Sequence, residues 1–329
     1  MKNILVTGGA GFIGANFINL LLDKDEEANV INLDKLTYAG DTDRLKTLEG
    51  LSRYKFINGD ICDKKAVHDA FSSGPSGPSG IDCVVHFAAE SHVDRSIEDA
   101  EIFETTNVRG TLVLLEAARV HGANRFVHIS TDEVYGELGE EGRFTEETPF
   151  APNSPYSASK ASADLFVQAY RHTYGLDTVT VRPSNNYGPW QYPEKLIPVV
   201  ITHALDDLPV PVYARGLNVR EWLFVEDCAE GIMQAMEKGK TGEAYNLGSG
   251  HERRNIDVVK GILSLLDKPE SLINFVMDRP GHDFRYSLDS GKIKTDAGWE
   301  ASTGFEQGLA QTVKWYVDNQ PWWRKFLKY

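Results

Sequence analysis

Cysteine is scarce in this chain. The three residues, Cys62, Cys83 and Cys228, are odd in number and far apart, and no CxxC or HExxH spacing occurs. A disulfide framework and a structural zinc site are therefore set aside, and no metal is expected. Long apolar runs are also missing: none approaches the roughly 18 residues of a membrane span. Positive charge is in deficit, with 34 Lys and Arg against 48 Asp and Glu, a net charge of -14. That balance argues against nucleic-acid and anionic-membrane partners, which need a basic surface. It leaves room for a local basic pocket around a phosphorylated small molecule. The stretch Met1 to Val6 runs into glycines too soon for a signal peptide, so a reducing cytoplasm is the expected compartment.

What is present is an ordinary globular composition over 329 residues, 41% hydrophobic and 25% charged, long enough for about two domains without staples. Strand candidates are Asn3–Thr7, Asn29–Leu33, Tyr54–Asn58, Asp82–Phe87, Arg125–Ser130 and Thr178–Arg182, short runs read as apolar on both faces. Helix-length segments alternate with them, at Phe12–Asp23, about Val108–His121 and Ser157–Tyr174; in the first, Phe17, Ile18, Leu21 and Leu22 share a face. Alternation of this kind predicts an α/β fold, a Rossmann-type doubly wound parallel sheet. Ser72–Gly80, SSGPSGPSG, reads as a surface loop with no function attached. After about Pro183 prolines punctuate the chain and elements shorten. Residues 1–183 are read as one domain, to which a segment near 222–247 returns, and 184–329 as a smaller C-terminal α/β domain. The tail Pro321-Trp322-Trp323-Arg324-Lys325 mixes aromatics with base and is expected to be a packed last helix rather than a membrane anchor.

Two constellations carry chemistry. Gly8-Gly9-Ala10-Gly11-Phe12-Ile13-Gly14 follows the first strand and opens the first helix. Small residues there admit a pyrophosphate to the backbone, and the helix N-terminus offers free N–H groups. Asp34 ends the second strand twenty residues after Gly14, where an acid bonds ribose hydroxyls and repels a 2′-phosphate, favouring NAD over NADP. Asp60 and Ile61 are candidates for the adenine. The second constellation is Tyr156 and Lys160, a YxxxK spacing that puts phenol and ammonium on one helix face and should lower the phenol pKa. A tyrosinate beside NAD can take a hydroxyl proton while hydride leaves carbon. Thr131-Asp132-Glu133 follows the Arg125–Ser130 strand, at the carboxyl edge where open α/β sheets bind ligands. A helix cap explains the threonine or the aspartate, but not a second acid.

These motifs together resemble the extended short-chain dehydrogenase/reductase superfamily. Further segments are similar to nucleotide-sugar 4,6-dehydratases, and most specifically to those acting on dTDP-glucose: DKLTYAG (34–40), AAESHVDRSI (88–97), STDEVYG (130–136), PYSASKASAD (155–164), SNNYGPWQYPEKLIP (184–198), LNVREW (217–222), NIDVV (255–259) and DRPGHD (278–283). The resemblance spans essentially the whole chain. Its most discriminating part is Asp132-Glu133: related epimerases usually carry small residues there, and related decarboxylases and GDP-mannose dehydratases a serine or threonine before the glutamate. Pro183, where a cysteine is common, Phe224 and Cys228 depart from the pattern without touching the acid, base or redox positions.

The resemblance implies a mechanism. Tyr156, assisted by Lys160 and Thr131, takes the C4 hydroxyl proton while hydride passes from C4 to NAD. Glu133 then removes the C5 proton, Asp132 protonates the departing C6 hydroxyl, hydride returns to C6 and C5 is reprotonated. It further implies cofactor contacts at Gly8, Gly11, Phe12, Ile13, Gly14, Asp34, Lys35, Leu36, Thr37, Asp60, Ile61, Phe87, Ala88, Ala89, Thr106 and Asn186, besides Tyr156 and Lys160. Substrate contacts are implied at Ser91, Thr131, Asn185, Lys195, Leu196, Pro211, Tyr213, Arg220, Asn255, Arg279 and His282. Arg220 and Lys195 suit a diphosphate, although a surface ion pair is the commoner fate of either residue. Residues 1–183 then hold NAD, 184–329 hold the nucleotide sugar, and a homodimer is expected through the helices near 108–121 and 157–174. The competing readings are a UDP-sugar 4,6-dehydratase, a UDP-sugar epimerase or decarboxylase, and a non-catalytic NAD sensor on the same fold. An epimerase has no use for an acid aimed at C6, and Asp132 would repel the carboxylate that a decarboxylase must bind.

Overall fold

The structure is a computed structural model and describes residues 1–74 and 80–327. Most of the SSGPSGPSG segment, residues 75–79, lies outside the described residues. In the first half the elements run β1 (Asn3–Thr7), α1 (Phe12–Lys24), β2 (Asn29–Asp34), β3 (Tyr54–Asn58), α2 (Lys64–Ser72), β4 (Cys83–His86), short helices α3 (Val93–Glu98) and α4 (Ala100–Phe103), α5 (Gly110–His121), β5 (Arg125–Ile129), α6 (Pro155–Tyr174) and β6 (Thr178–Pro183). Then come β7 (Asn185–Tyr187), α7 (Leu196–Leu205), β8 (Val210–Tyr213), β9 (Val219–Phe224), α8 (Val225–Lys238), β10 (Ala244–Leu247), β11 (Glu252–Arg254), α9 (Asn255–Leu265), β12 (Ile273–Val276), α10 (Gly291–Ala297), α11 (Phe305–Asp318) and α12 (Gln320–Arg324).

Seven strands form a parallel sheet in the order β10-β6-β5-β4-β1-β2-β3. Helices cover both faces, so the middle of β1 is apolar, with Ile4, Leu5 and Val6 sealed from solvent. This is the doubly wound fold that the strand–helix alternation predicts. The order reverses between β1 and β4, which opens a crevice at their carboxyl ends. Several strands depart from the apolar reading. β3 is the sheet edge, so Lys55 and Asn58 face water. β5 and β6 bury His128 and Arg182, for reasons that lie under the site.

The chain after β6 does two things. α8 lies against α1, and β10 extends the sheet beside β6. The remainder forms a three-stranded sheet (β11-β9-β7) and a pair (β12-β8) over a second, aromatic core that includes Tyr187, Trp222, Phe224, Phe305, Tyr316 and Trp323. The tail packs into this core: Trp322 and Trp323 are both buried. No helix among the described residues is long and apolar enough to cross a membrane.

Candidate active site

One cavity of about 650 Å³ opens at the sheet reversal and runs down to the second core. Its cofactor-like half is made by backbone. Gly8 takes a left-handed φ of 73°, and a Cβ there would sit 2.5 Å from the Ala88 nitrogen; one on Gly14 would sit 2.5 Å from the Gly8 oxygen. Neither position admits alanine without a shift. Gly11 is sterically freer, with only the Gly8 oxygen at 3.1 Å from an added Cβ. It is the N-cap of α1 and has no side chain to occupy the helix N–H groups, which leaves them available to an anion. Asp34 holds the loop: its carboxylate accepts the Ala10 N–H at 2.9 Å and the Leu36 N–H at 2.8 Å. Burial pushes its pKa up, against those two bonds.

The reacting half comes from β5 and α6. After Ile129 the chain turns through Ser130 and Thr131, whose hydroxyl accepts the Glu133 N–H at 3.3 Å and donates to Asp132 Oδ1 at 3.2 Å. Thr131 is thus a cap, as well as a cavity wall. Ser154 and Ser157 close a reciprocal capping box, with Pro155 in the first turn, so α6 begins just before Tyr156. Tyr156 and Lys160 then share the cavity-facing side of its first turns.

The electrostatics separate the two acids. Asp132 is held well above the usual carboxylate range by burial, then by Glu133 and Glu221, and its Oδ2 is buried without a partner. Glu133 is raised by burial too, but Arg279, Lys195 and Arg220 all pull it down. One acid is set to keep its proton, and its neighbour faces three cations. The expectation that Lys160 lowers the Tyr156 phenol needs correcting for the chain on its own. Burial, followed by Glu133, pushes the phenol up. Lys160 itself is pushed down to about 8 by burial and donates to the Ile129 carbonyl at 2.6 Å.

The cavity gathers every residue singled out in the sequence except Leu36. Leu36 does not line the cavity: its side chain is exposed, its φ is 55°, and its N–H donates to Asp34 at 2.8 Å. Lys195 and Arg220 are not surface ion pairs. Lys195 donates to the Ser91 carbonyl at 2.8 Å, and Arg220 is buried on the Asp283 carbonyl at 2.8 Å and over the Tyr286 ring at 4.4 Å. His282 is paired with Asp278 at 2.6 Å, beside Tyr213. Several buried polar atoms on the wall lack partners: Asn185 Oδ1, Asn186 Oδ1, Asn255 Oδ1 and Arg279 Nε, with Asp132 Oδ2. A polar ligand suits such a wall.

Sequence reasoning missed Glu90, Asp94 and Glu194, which also line the cavity. All three sit inside quoted segments, but acids beside a proposed diphosphate carried no positive signal. It also missed what holds the reacting half from behind. Asp164, one turn after Lys160 and sealed from solvent, takes Arg182 at 2.9 Å and lies 3.3 Å from His128. Arg182 passes a bond to Tyr135 Oη at 2.7 Å, and Tyr135 one to Asn246 Oδ1 at 2.8 Å. On the other side, Asn107 bonds the Glu90 N–H and carbonyl and the Ser159 hydroxyl. Asn107 sits in a wide π-helical turn, Glu104–Arg109, that runs straight into α5 and delivers Thr106 to the cavity.

A family model described as GDP-mannose 4,6 dehydratase matches residues 5–312. A dTDP-glucose 4,6-dehydratase of Xanthomonas campestris pv. campestris is 52% identical over 340 residues, covering 98% of this chain and 95% of the relative. The chain belongs to the nucleotide-sugar 4,6-dehydratase family. Among solved structures, DesIV of Streptomyces venezuelae, a dTDP-glucose 4,6-dehydratase with NAD and dTDP bound, superposes with a TM-score of 0.95. It is 46% identical, over 99% of this chain and 100% of that one. A dTDP-glucose 4,6-dehydratase from Bacillus anthracis in complex with NAD gives a TM-score of 0.92 at 45% identity, with 99% and 100% covered. The family model and these relatives carry different nucleotide sugars in their names.

Proposed function

We propose that this chain dehydrates dTDP-glucose to dTDP-4-keto-6-deoxyglucose, a hydro-lyase reaction with NAD retained throughout. The observation that carries the proposal is the Asp132-Glu133 pair beside Tyr156 and Lys160, in one cavity with a dinucleotide cradle. The residues fit NAD: the Gly8 and Gly14 positions leave only backbone where a side chain would stand. Asp34 keeps carboxylate lone pairs for ribose hydroxyls. NAD, when bound there, supplies an acceptor for the C4 hydride, its return to C6, and a cationic ring beside the phenol.

The chain's own residues do the proton work. Tyr156 takes the C4 hydroxyl proton, and the Lys160 ammonium offsets part of the upward push that burial gives the phenol. A ketone at C4 acidifies the C5 proton, and Glu133, facing three cations, is the group equipped to take it. Asp132 keeps its proton until the C6 oxygen departs and then gives it up, so water leaves, and C5 is reprotonated once C6 has been reduced. One base and one acid held in opposite protonation states are what elimination beside a ketone requires. Lys195, Arg220 and Arg279 offset the diphosphate charge in an acidic protein. Residues 1–183, with 222–247, hold the cofactor in this reading, and 184–329 the nucleotide sugar.

A homodimer in the cytoplasm completes the proposal. Its support is the exposed apolar side chains on α5 and α6, among them Val120, Leu165 and Phe166. Sedimentation as a monomer at micromolar concentration would remove the dimer.

The function is tested by incubating purified protein with dTDP-glucose, UDP-glucose and GDP-mannose separately, with added NAD, and weighing the products. Loss of one water from dTDP-glucose alone is expected. Isomerisation without mass change would favour an epimerase. Water loss from another nucleotide sugar would move the specificity, and NAD bound without turnover would leave a sensor.

A further inference from the structure

The aromatic, basic tail has no part in the proposed chemistry, yet it reaches the back of the cofactor cradle. Trp322 Nε1 and Lys325 Nζ both donate to Asp41 Oδ2, each at 2.7 Å. Lys325 also reaches Asp43 at 2.5 Å. The partners lie more than 280 residues apart in sequence. Asp41 closes the DKLTYAG turn, and its side chain is only 12% exposed. A carboxylate so far removed from water needs its donors. Its backbone N–H donates to the Ala10 carbonyl at 3.0 Å, and the Ala10 N–H is one of the two that hold Asp34. Tail, Asp41, glycine loop and Asp34 therefore form one continuous hydrogen-bonded chain.

Arg44 braces the same place. It is buried and lies over the Trp322 ring at 5.2 Å, and its guanidinium donates to the carbonyls of Ala10 (2.8 Å), Ala39 (2.7 Å) and Trp190 (3.0 Å). It thus ties the glycine loop, the turn after β2 and the loop after β7 to the tail.

We infer that Trp322 and Lys325 are positioning residues for the dinucleotide: by holding Asp41 they fix the loop that carries Asp34, and so slow the release of NAD. This rests on the reading of the Gly8–Gly14 loop and Asp34 as the NAD cradle. A carboxylate presented to ribose hydroxyls is useful only if its loop is stationary, and this loop sits at the open end of the crevice with its outer support drawn from the far end of the chain.

The test is the rate at which the full-length protein loses NAD on gel filtration, with the apparent KM for added NAD and kcat measured alongside. The double variant Trp322→Phe, Lys325→Met keeps the packing and removes both donors. Loss of NAD should quicken, and KM for NAD should rise, by about tenfold, the size expected for losing bonds to a charged, buried group, while kcat at saturating NAD changes less than KM. Lys325→Arg should restore most of the retention when Trp322 is intact. Asp41→Asn, which keeps its size but drops the charge, gives a second reading should the double variant fold poorly, with the same direction expected. Wild-type retention and KM in variants that melt like wild type would overturn the inference and leave the NAD reading intact. A wild-type chain that binds no NAD would overturn both.

Discussion

The two halves of the cavity are built by different means. The cofactor half is backbone geometry supplied by one stretch, Gly8 to Gly14, and by strand ends of a single sheet. The half proposed for the sugar is side chains gathered from scattered places: Ser91, Asn185, Lys195, Arg220, Asn255 and Arg279 line the cavity from separate segments. The first half leaves no room for a side chain at Gly8 or Gly14. The second presents charged side chains and unpaired polar atoms. Substitutions in the cofactor half should therefore act sterically, on NAD, and those in the sugar half electrostatically, on turnover and substrate affinity.

The residues between the halves should show the largest effects. Tyr156→Phe removes the only proposed acceptor for the C4 proton, and turnover should fall by about a thousandfold or more, with NAD still recovered from the purified protein. Loss of NAD along with activity would place Tyr156 in the cofactor half alone. Asp132→Asn should cost about 10²–10³ in kcat and let the near-ultraviolet absorbance of reduced cofactor build up during the first turnover. Normal dehydration by that variant would take Asp132 out of the mechanism.

The steric half is broken by Gly14→Ala. Its Cβ would meet the Gly8 oxygen at 2.5 Å and the Gly9 Cα at 2.9 Å. Overpacking of about 1–3 kcal/mol should weaken NAD by roughly tenfold or more, read by titrating the apoprotein, while the sugar nucleotide KM measured with excess NAD changes little.

The electrostatic half is read in a pH profile. Glu133 is raised above the ordinary carboxylate value, so kcat/KM should fall as acid protonates the base, beginning above pH 4.5. Lys160 is lowered to about 8, so its ammonium is lost above that pH and an alkaline limb should follow. A profile flat up to pH 10 would mean that the ammonium plays no part. The smallest effect is expected at the rim. Lys35 pairs with Asp60 at 2.7 Å, but its side chain is 59% exposed. Lys35→Ala should cost less than about 1 kcal/mol of NAD affinity.

The contrast between the halves also explains what the sequence made legible. A contiguous loop between a strand and a helix announces itself, because glycine spacing and strand position are local facts. Asp132 and Glu133 were readable for the same reason, as two neighbours at a strand end. Convergence is not local: without the resemblance, nothing in Asn255 or Arg279 alone points to a shared wall. The network beneath the site was illegible for a further reason. Asp164, Arg182 and His128 are charged or polar residues in elements whose periodicity reads as core, and only the fold reveals that Arg182 pairs with Asp164 and that His128 lies beside them. β10 escaped because it is four residues long and carries Asn246, which belongs to that same network.

The central claim is that one bound NAD takes and returns the same hydride while the acid pair removes water between. Sugar nucleotide deuterated at C4 should be mixed with sugar nucleotide carrying a heavy-carbon label and no deuterium, turned over, and the methyl group of each product weighed. The account predicts deuterium at C6 only in molecules that began with it at C4. Deuterium lost to water, or found in the carbon-labelled product, would contradict it.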